Sequence, residues 1–192
     1  MDIVDFLKAR GSTPWRVLGE PGPSEEETQE FLAAAVTSPD HGAIRPWRFI
    51  VVRGDARAAM GEVFTRALLK RQPDASEATI EKDRERMRRV PLLIVVAAAI
   101  THSHPKVPPS EQLVATGLAA QAILLAAQAR GYGGVILTGD HAYDPTVKKA
   151  LGLKDKHQIV GFVYIGTPEG EMRPKKRPDA TKFAREWTGP AS

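Results

Sequence analysis

From Leu113 to Ala129 the chain is almost wholly apolar, interrupted by Thr116, Gln121 and Gln128. Read as a helix over Glu111 to Arg130, it is apolar nearly all round and rich in alanine. A helix at a protein surface keeps one polar face. This one has none, so it belongs at the centre of a fold, and a partner subunit is one candidate to cover its far side. The polar interruptions argue against a bilayer span. Gly131 stands where a C′ glycine ends such a helix.

The other segments arrange themselves around this one. Ile3, Phe6 and Leu7 share a helical face, and that opening helix stops at Arg10-Gly11-Ser12. Ser24-Glu25-Glu26-Glu27 is a capping box for a helix that turns Phe31, Leu32, Ala35 and Val36 to a core and ends before Pro39. Trp47 to Val52 is β-branched and aromatic, a strand. Helices are expected over Ala56 to Lys70 and Ala75 to Arg89, the second with a solvated face at Lys82-Asp83-Arg84-Glu85-Arg86. After Pro91, Leu92 to Ile100 is apolar without alternation, as in a strand covered on both faces. Ser110 is placed to cap the central helix, and Asp144-Pro145 to open a short one closed by Gly152. Val135 to Leu137 and Ile159 to Ile165 complete the strands. Four or five strands with helices on both faces make an α/β or α+β sandwich. With no internal repeat and no long linker, residues 1–192 read as a single domain; 168–192 is a basic, proline-containing extension that needs something to lie against, a partner subunit being one candidate.

Composition narrows the chemistry. The 192 residues contain no cysteine, which removes thiol nucleophiles, disulfides and cysteine-ligated metals. A net charge of +4 favours phosphate-bearing small molecules. It is weak support for nucleic acid, because no basic stripe with interleaved aromatics accompanies it. The N-terminal Met1-Asp2-Ile3-Val4-Asp5 lacks a basic n-region, so the expected location is cytoplasmic, without a membrane. No G-x-G-x-x-G opens a helix after a strand; Gly131-Tyr132-Gly133-Gly134 comes in the opposite order. His102 and His104 lack a nearby third ligand and read as a solvated loop rather than a metal site. His41, His141 and His157 are scattered. An enzyme of this composition would rely on a bound organic cofactor.

Three segments point further: Arg10-Gly11-Ser12, the loop from Ser38 to Phe49 with His41 in it, and Gly131 to Gly139. Together with His104-Pro105-Lys106-Val107-Pro108-x-x-Glu111-Gln112 and Gly161 to Pro168, they resemble, in order and spacing, the nitroreductase family, and within it the short bacterial YdjA-like branch. The resemblance implies an α+β fold, with a mixed β-sheet flanked by helices in a three-layer α/β/α sandwich, built as an intertwined homodimer. It implies FMN as cofactor, NADH or NADPH as hydride donor, and a nitroaromatic, quinone or similar small molecule as acceptor, in ping-pong turnover. Chemistry would reside on flavin N5, with no catalytic acid, base or nucleophile from the protein.

Under the same resemblance Arg10, Gly11 and Ser12 hold the phosphate. Thr37 and His41 reach the FMN from the partner subunit, and Ile136, Leu137 and Thr138 run along it. Chemically, an arginine can fork onto phosphate oxygens and a glycine permits close backbone approach. By themselves these residues also read as a helix end with a surface arginine and as an exposed loop histidine. Relatives commonly carry tryptophan and arginine where Ile136 and Leu137 stand, and a second arginine at Gly11. Lys175, Lys176 or Arg177 is then a source of replacement charge, or simply part of a basic surface tail. A non-catalytic FMN carrier or sensor of the same fold is the alternative.

Overall fold

Every side chain from Leu92 to Ala99 is buried, and the rest of the molecule is arranged on the two faces of that strand. The computed structural model describes residues 2–170 and 176–190. In chain order its elements are α1 (Ile3–Ala9), β1 (Leu18–Gly19), α2 (Glu25–Ala35), β2 (Trp47–Arg53), α3 (Ala56–Arg71), α4 (Glu77–Arg89) and β3 (Leu92–Ala99). There follow α5 (Pro109–Ala129), β4 (Gly133–Leu137), α6 (Asp140–Tyr143), α7 (Pro145–Ala150) and β5 (His157–Pro168). Short 3₁₀ turns occur at Trp15–Val17, His41–Ala43 and Ala180–Phe183.

Side chains alternate across a strand, and here the alternation sorts two cores. Leu93 and Val95 of β3, with Phe162 and Tyr164 of β5, pack against α3, the end of α4, α6 and α7. Leu92, Ile94 and Val96, with Val163 and Ile165, pack against α2 and α5. This is the expected three-layer α+β arrangement.

The expectation of a mixed sheet needs correction. Among the described residues all four strand pairings, β1–β5, β2–β3, β3–β5 and β4–β5, are antiparallel. Two helices, α3 and α4, separate β2 from β3, so the chain re-enters from the end it left. A single helix, α5, separates β3 from β4, which do run in the same direction, but β5 lies between them from the opposite side. The two-residue β1 was not foreseen.

Local signals explain most boundaries. The capping box is present: Ser24 Oγ accepts from the Glu27 amide at 3.1 Å, and Glu27 Oε2 accepts from the Ser24 amide at 2.9 Å. Asp144 caps α7 through the Thr146 amide at 2.7 Å. Gly131 ends α5 at φ +86°, where a side chain would be strained. Ser110 does not cap α5; the helix begins one residue earlier at Pro109, whose fixed φ suits the first helical position.

The central helix is not covered all round within one chain. It buries Ala115, Thr116, Ala119, Ala120, Ile123, Leu124 and Ala127 and leaves Val114 and Leu118 exposed. By length and composition α5 would suffice to cross a membrane, yet its inner face is packed on the sheet. Beside its C-terminal end, α1 buries nothing and exposes Ile3, Val4 and Leu7.

Candidate functional site

α1 is docked on α5 by Gln128, whose Nε2 donates to the Phe6 carbonyl at 3.3 Å. The helix ends at Ala9, and the Arg10 amide closes it on the Leu7 carbonyl at 3.2 Å. The chain continues to the buried Thr13, whose amide donates to the Gly134 carbonyl at 2.9 Å. That bond pins Arg10-Gly11-Ser12 beside β4. The approach depends on glycine: a Cβ at Gly133 would stand 2.7 Å from Thr13 Oγ1 and 2.8 Å from Leu18 Cδ2. Gly133 is therefore explained by packing of the 10–13 segment on the strand, and Gly134 by packing of α5 on its other face, where a Cβ would stand 2.8 Å from Leu124 Cδ2.

A second arginine reaches the same turn. The Arg177 guanidinium donates to the Arg10 carbonyl. Among the described residues the Arg10 guanidinium has no carboxylate partner. Two arginines at one turn, with no acid paired to Arg10 among the described residues, suit an anion, and a phosphate is matched by their forked donors. Lys176 is exposed, and Lys175 lies outside the described residues.

Along β4 the side chains of Ile136 and Leu137 are committed to packing on opposite faces of the sheet. Ile136 fills the space over Gly161, where a Cβ would fall 2.6 Å from its Cγ1 and Cδ1. Thr138 is exposed, and Gly139 at φ +77° turns the chain into α6. What this stretch offers a ligand is the Thr138 hydroxyl and main-chain groups.

The end of β4 is fixed by a cluster that the sequence pattern did not reveal. His141 Nε2 lies 2.7 Å from Asp83 Oδ2, and its ring stacks on Phe64 at 4.4 Å. Asp83 also accepts from Arg86 at 2.9 Å, while Arg71 pairs with Asp144. Burial raises the Asp83 pKa, but His141, Arg86 and Lys82 outweigh it and hold the carboxyl below its ordinary value. Asp83, in the charged run expected to be solvated, is instead buried. Its spacing with Met87 and Val90, four and then three residues on, was the available signal that it faces the core.

Thr37 and His41 lie on the α2–β2 connection. Thr37 Oγ1 donates to the Ala34 carbonyl at 2.8 Å, finishing α2. His41 opens a turn in which Gly42, Ala43 and Arg45 all have positive φ (71°, 51° and 53°). The two non-glycine positions store strain, of order 1–3 kcal/mol each. The turn is held by Asp40 Oδ2 accepting from the Arg45 amide at 2.6 Å, and by Arg48 donating to the carbonyls of Arg45 and Trp47 at 2.9 and 2.7 Å. His41 Nδ1 lies 2.6 Å from Glu111 Oε2, in the first turn of α5.

The predicted residues thus fall in two groups. Arg10, Gly11 and Ser12 adjoin β4 with Ile136, Leu137 and Thr138; Thr37 and His41 stand apart. Glu111, which holds His41, and Gln128, which holds α1, are near opposite ends of α5. A rise of 1.5 Å per residue separates them by roughly 25 Å. One chain does not bring the two groups together.

A cavity of about 310 Å³ lies elsewhere, lined by Lys70, Arg71, Asp140, Tyr143, Asp144, Pro145 and Thr146. None of the predicted residues lines it. Its cations are already engaged, Arg71 by Asp144 and Lys70 Nζ by Thr146 Oγ1 at 3.2 Å.

A family model described as "Nitroreductase family" matches residues 8–167. The chain is 35% identical over 184 residues to the Escherichia coli (strain K12) protein named "Putative NAD(P)H nitroreductase YdjA", covering 95% of this chain and 98% of that one. The solved nitroreductase-like family protein from Bacillus cereus superposes with a TM-score of 0.83 at 24% identity, covering 98% of this chain and 97% of that chain. A mutant of the FMN and NADPH-dependent nitroreductase NfnB from "sphigopyxis sp. strain HMH" superposes with a TM-score of 0.75 at 17% identity, covering 98% and 100%.

Proposed function

The chain belongs to the nitroreductase family, and from that premise we propose that it is an FMN-dependent oxidoreductase carrying hydride from NADH or NADPH to a small-molecule acceptor such as a quinone or nitroaromatic. The observation that carries the reading is the turn at Arg10. It gathers two arginines and no acid among the described residues, and it is fixed beside the strand that ends in Thr138.

Arg10 and Arg177 neutralise and fork onto the nucleotide phosphate, and Gly11 allows the main chain to approach it. Main-chain groups of Ile136 and Leu137 and the Thr138 hydroxyl line the remainder. Bound FMN supplies the hydride-accepting and hydride-donating centre at its N5 atom. This chain contributes no acid, base or nucleophile; its residues bind, orient and keep the negative charge of the reduced state near cationic and amide groups. Donor and acceptor use the same space in turn, which gives ping-pong kinetics.

The protein works as a homodimer. Val114 and Leu118 on α5, with Ile3, Val4 and Leu7 on α1, offer apolar surface that no part of the same described chain covers. A second copy packed there supplies the missing half of the site: the partner's His41 and Thr37 come to the first copy's Arg10.

The absorbance spectrum of the purified protein is the test. The expected result is a yellow protein that releases FMN on denaturation and oxidises NADH or NADPH faster with a quinone or nitroaromatic present. A yellow protein without turnover selects the carrier reading, favoured by the two packed side chains at Ile136 and Leu137. A colourless protein that ignores added FMN overturns both.

A further inference from the structure

We infer that Glu111 is a positioning residue for His41: its carboxylate accepts a hydrogen bond from Nδ1–H of the imidazole, which leaves Nε2 of the neutral ring as a hydrogen-bond acceptor for an N–H or O–H of the bound flavin nucleotide. The inference rests on the reading that His41 of one copy reaches the nucleotide held by the other.

With Glu111 ionised, the contact requires a hydrogen on Nδ1. At 2.6 Å the Nδ1 to Oε2 contact is a hydrogen bond, and an ionised carboxylate can only accept. The hydrogen therefore sits on Nδ1, and in the neutral ring Nε2 carries the lone pair. An unrestrained histidine rotates and exchanges tautomers; this one is held from both sides. Glu111 stands in the first turn of α5, where a negative charge is favoured by the helix dipole. The adjoining Gln112 is buried and locks that turn, donating from Nε2 to the carbonyls of Thr101 (2.9 Å) and Val107 (3.0 Å) and accepting from the Thr101 amide at 2.8 Å. On the other side, His41 belongs to the positive-φ turn that Asp40 and Arg48 brace.

These supports are independent of one another, and they converge on a pair whose side chains are about half exposed. An ion pair so exposed contributes little to stability. Backbone strain held in place around it is better explained by orientation, since such strain persists where a site is prearranged. The flavin nucleotide has the matching chemistry, an imide N–H on its ring and hydroxyls on its ribityl chain.

Ring-nitrogen NMR of His41 in the full-length protein, with and without FMN, reads the tautomer directly, and flavin fluorescence quenching gives the dissociation constant. The wild type should show the Nδ1–H form. Glu111→Gln, whose amide oxygen still accepts, should keep that form and the wild-type affinity. Glu111→Ala should lose it and weaken FMN binding about 3- to 10-fold, the worth of one hydrogen bond, with the melting temperature unchanged. If His41→Ala weakens binding while Glu111→Ala changes neither tautomer nor affinity, the inference fails and the parent reading survives. If His41→Ala leaves FMN binding intact, both fall.

Discussion

The two sides of the sheet solve the problem of burial differently. On the α3–α4–α6–α7 side the layer closes on itself, and even charge is buried in pairs: Asp83 with His141 and Arg86, Arg71 with Asp144. On the α2–α5 side the buried polar groups are neutral (Thr28, Gln112 and Thr116), and the outer surface of α5 and α1 leaves Val114, Leu118, Ile3, Val4 and Leu7 exposed. Each predicted cofactor-binding residue lies on a segment that touches α5, its neighbour α2, or β4. One side completes the fold of a chain; the other leaves apolar side chains uncovered among the described residues. That is the pattern expected when a site is assembled between two copies.

The largest expected effect lies on the self-contained side. Removing one member of a buried charge cluster typically costs about 3–5 kcal/mol. Asp83→Ala should lower the denaturant midpoint accordingly while the folded fraction still dimerises and binds FMN; loss of the dimer at unchanged stability would break the contrast. The pH dependence has a definite sign. With its folded pKa below the unfolded value of about 3.9, Asp83 stabilises the protein above that value, and this contribution is lost as pH falls through the folded pKa. Acid unfolding of Asp83→Asn should show a shallower slope than that of the wild type.

Next comes the open side. Val114→Lys with Leu118→Glu should weaken dimerisation by about 2–4 kcal/mol, from lost apolar burial and new desolvation, with little change in monomer unfolding. Sedimentation and denaturation together check it, and FMN should leave with the dimer. Arg10→Ala should reduce FMN affinity by about 1.5–3 kcal/mol, the range for hydrogen bonds to a charged group, with the fold intact. Flavin occupancy that survives dialysis unchanged would remove Arg10 from the site. The smallest effect is Ser24→Ala, about 1 kcal/mol of stability through the cap of α2 and none on flavin.

Much of this architecture was legible in the residues. The unalternating run at Leu92, the capping box at Ser24 and the closing Gly131 each have a local cause, so periodicity and end signals located their elements. Features that depend on distant partners were not legible. β1 exists because two residues meet the end of β5 across nearly the whole chain. The antiparallel order follows from where β5 inserts, which no local pattern encodes. In the candidate site, the residues grouped at Arg10 were nominated by resemblance, but their link to β4 through Thr13, and the arrival of Arg177, are tertiary facts. Glu111 was noted only as part of a motif; its pairing with His41 spans 70 positions. The sequence also showed that the central helix needs cover on both sides, without showing which side is left open.

The proposed site requires Arg10 and His41 to serve one nucleotide from different chains, and a mixed dimer tests that directly. Arg10→Ala and His41→Ala chains carrying different tags are co-expressed, the heterodimer is isolated through both tags, and FMN per dimer is measured. In the mixed dimer one site carries both lesions and the other carries neither. One tightly bound FMN per heterodimer, against weak binding in each parent homodimer, is the predicted result. Two equally weakened sites, as in the parents, would contradict it.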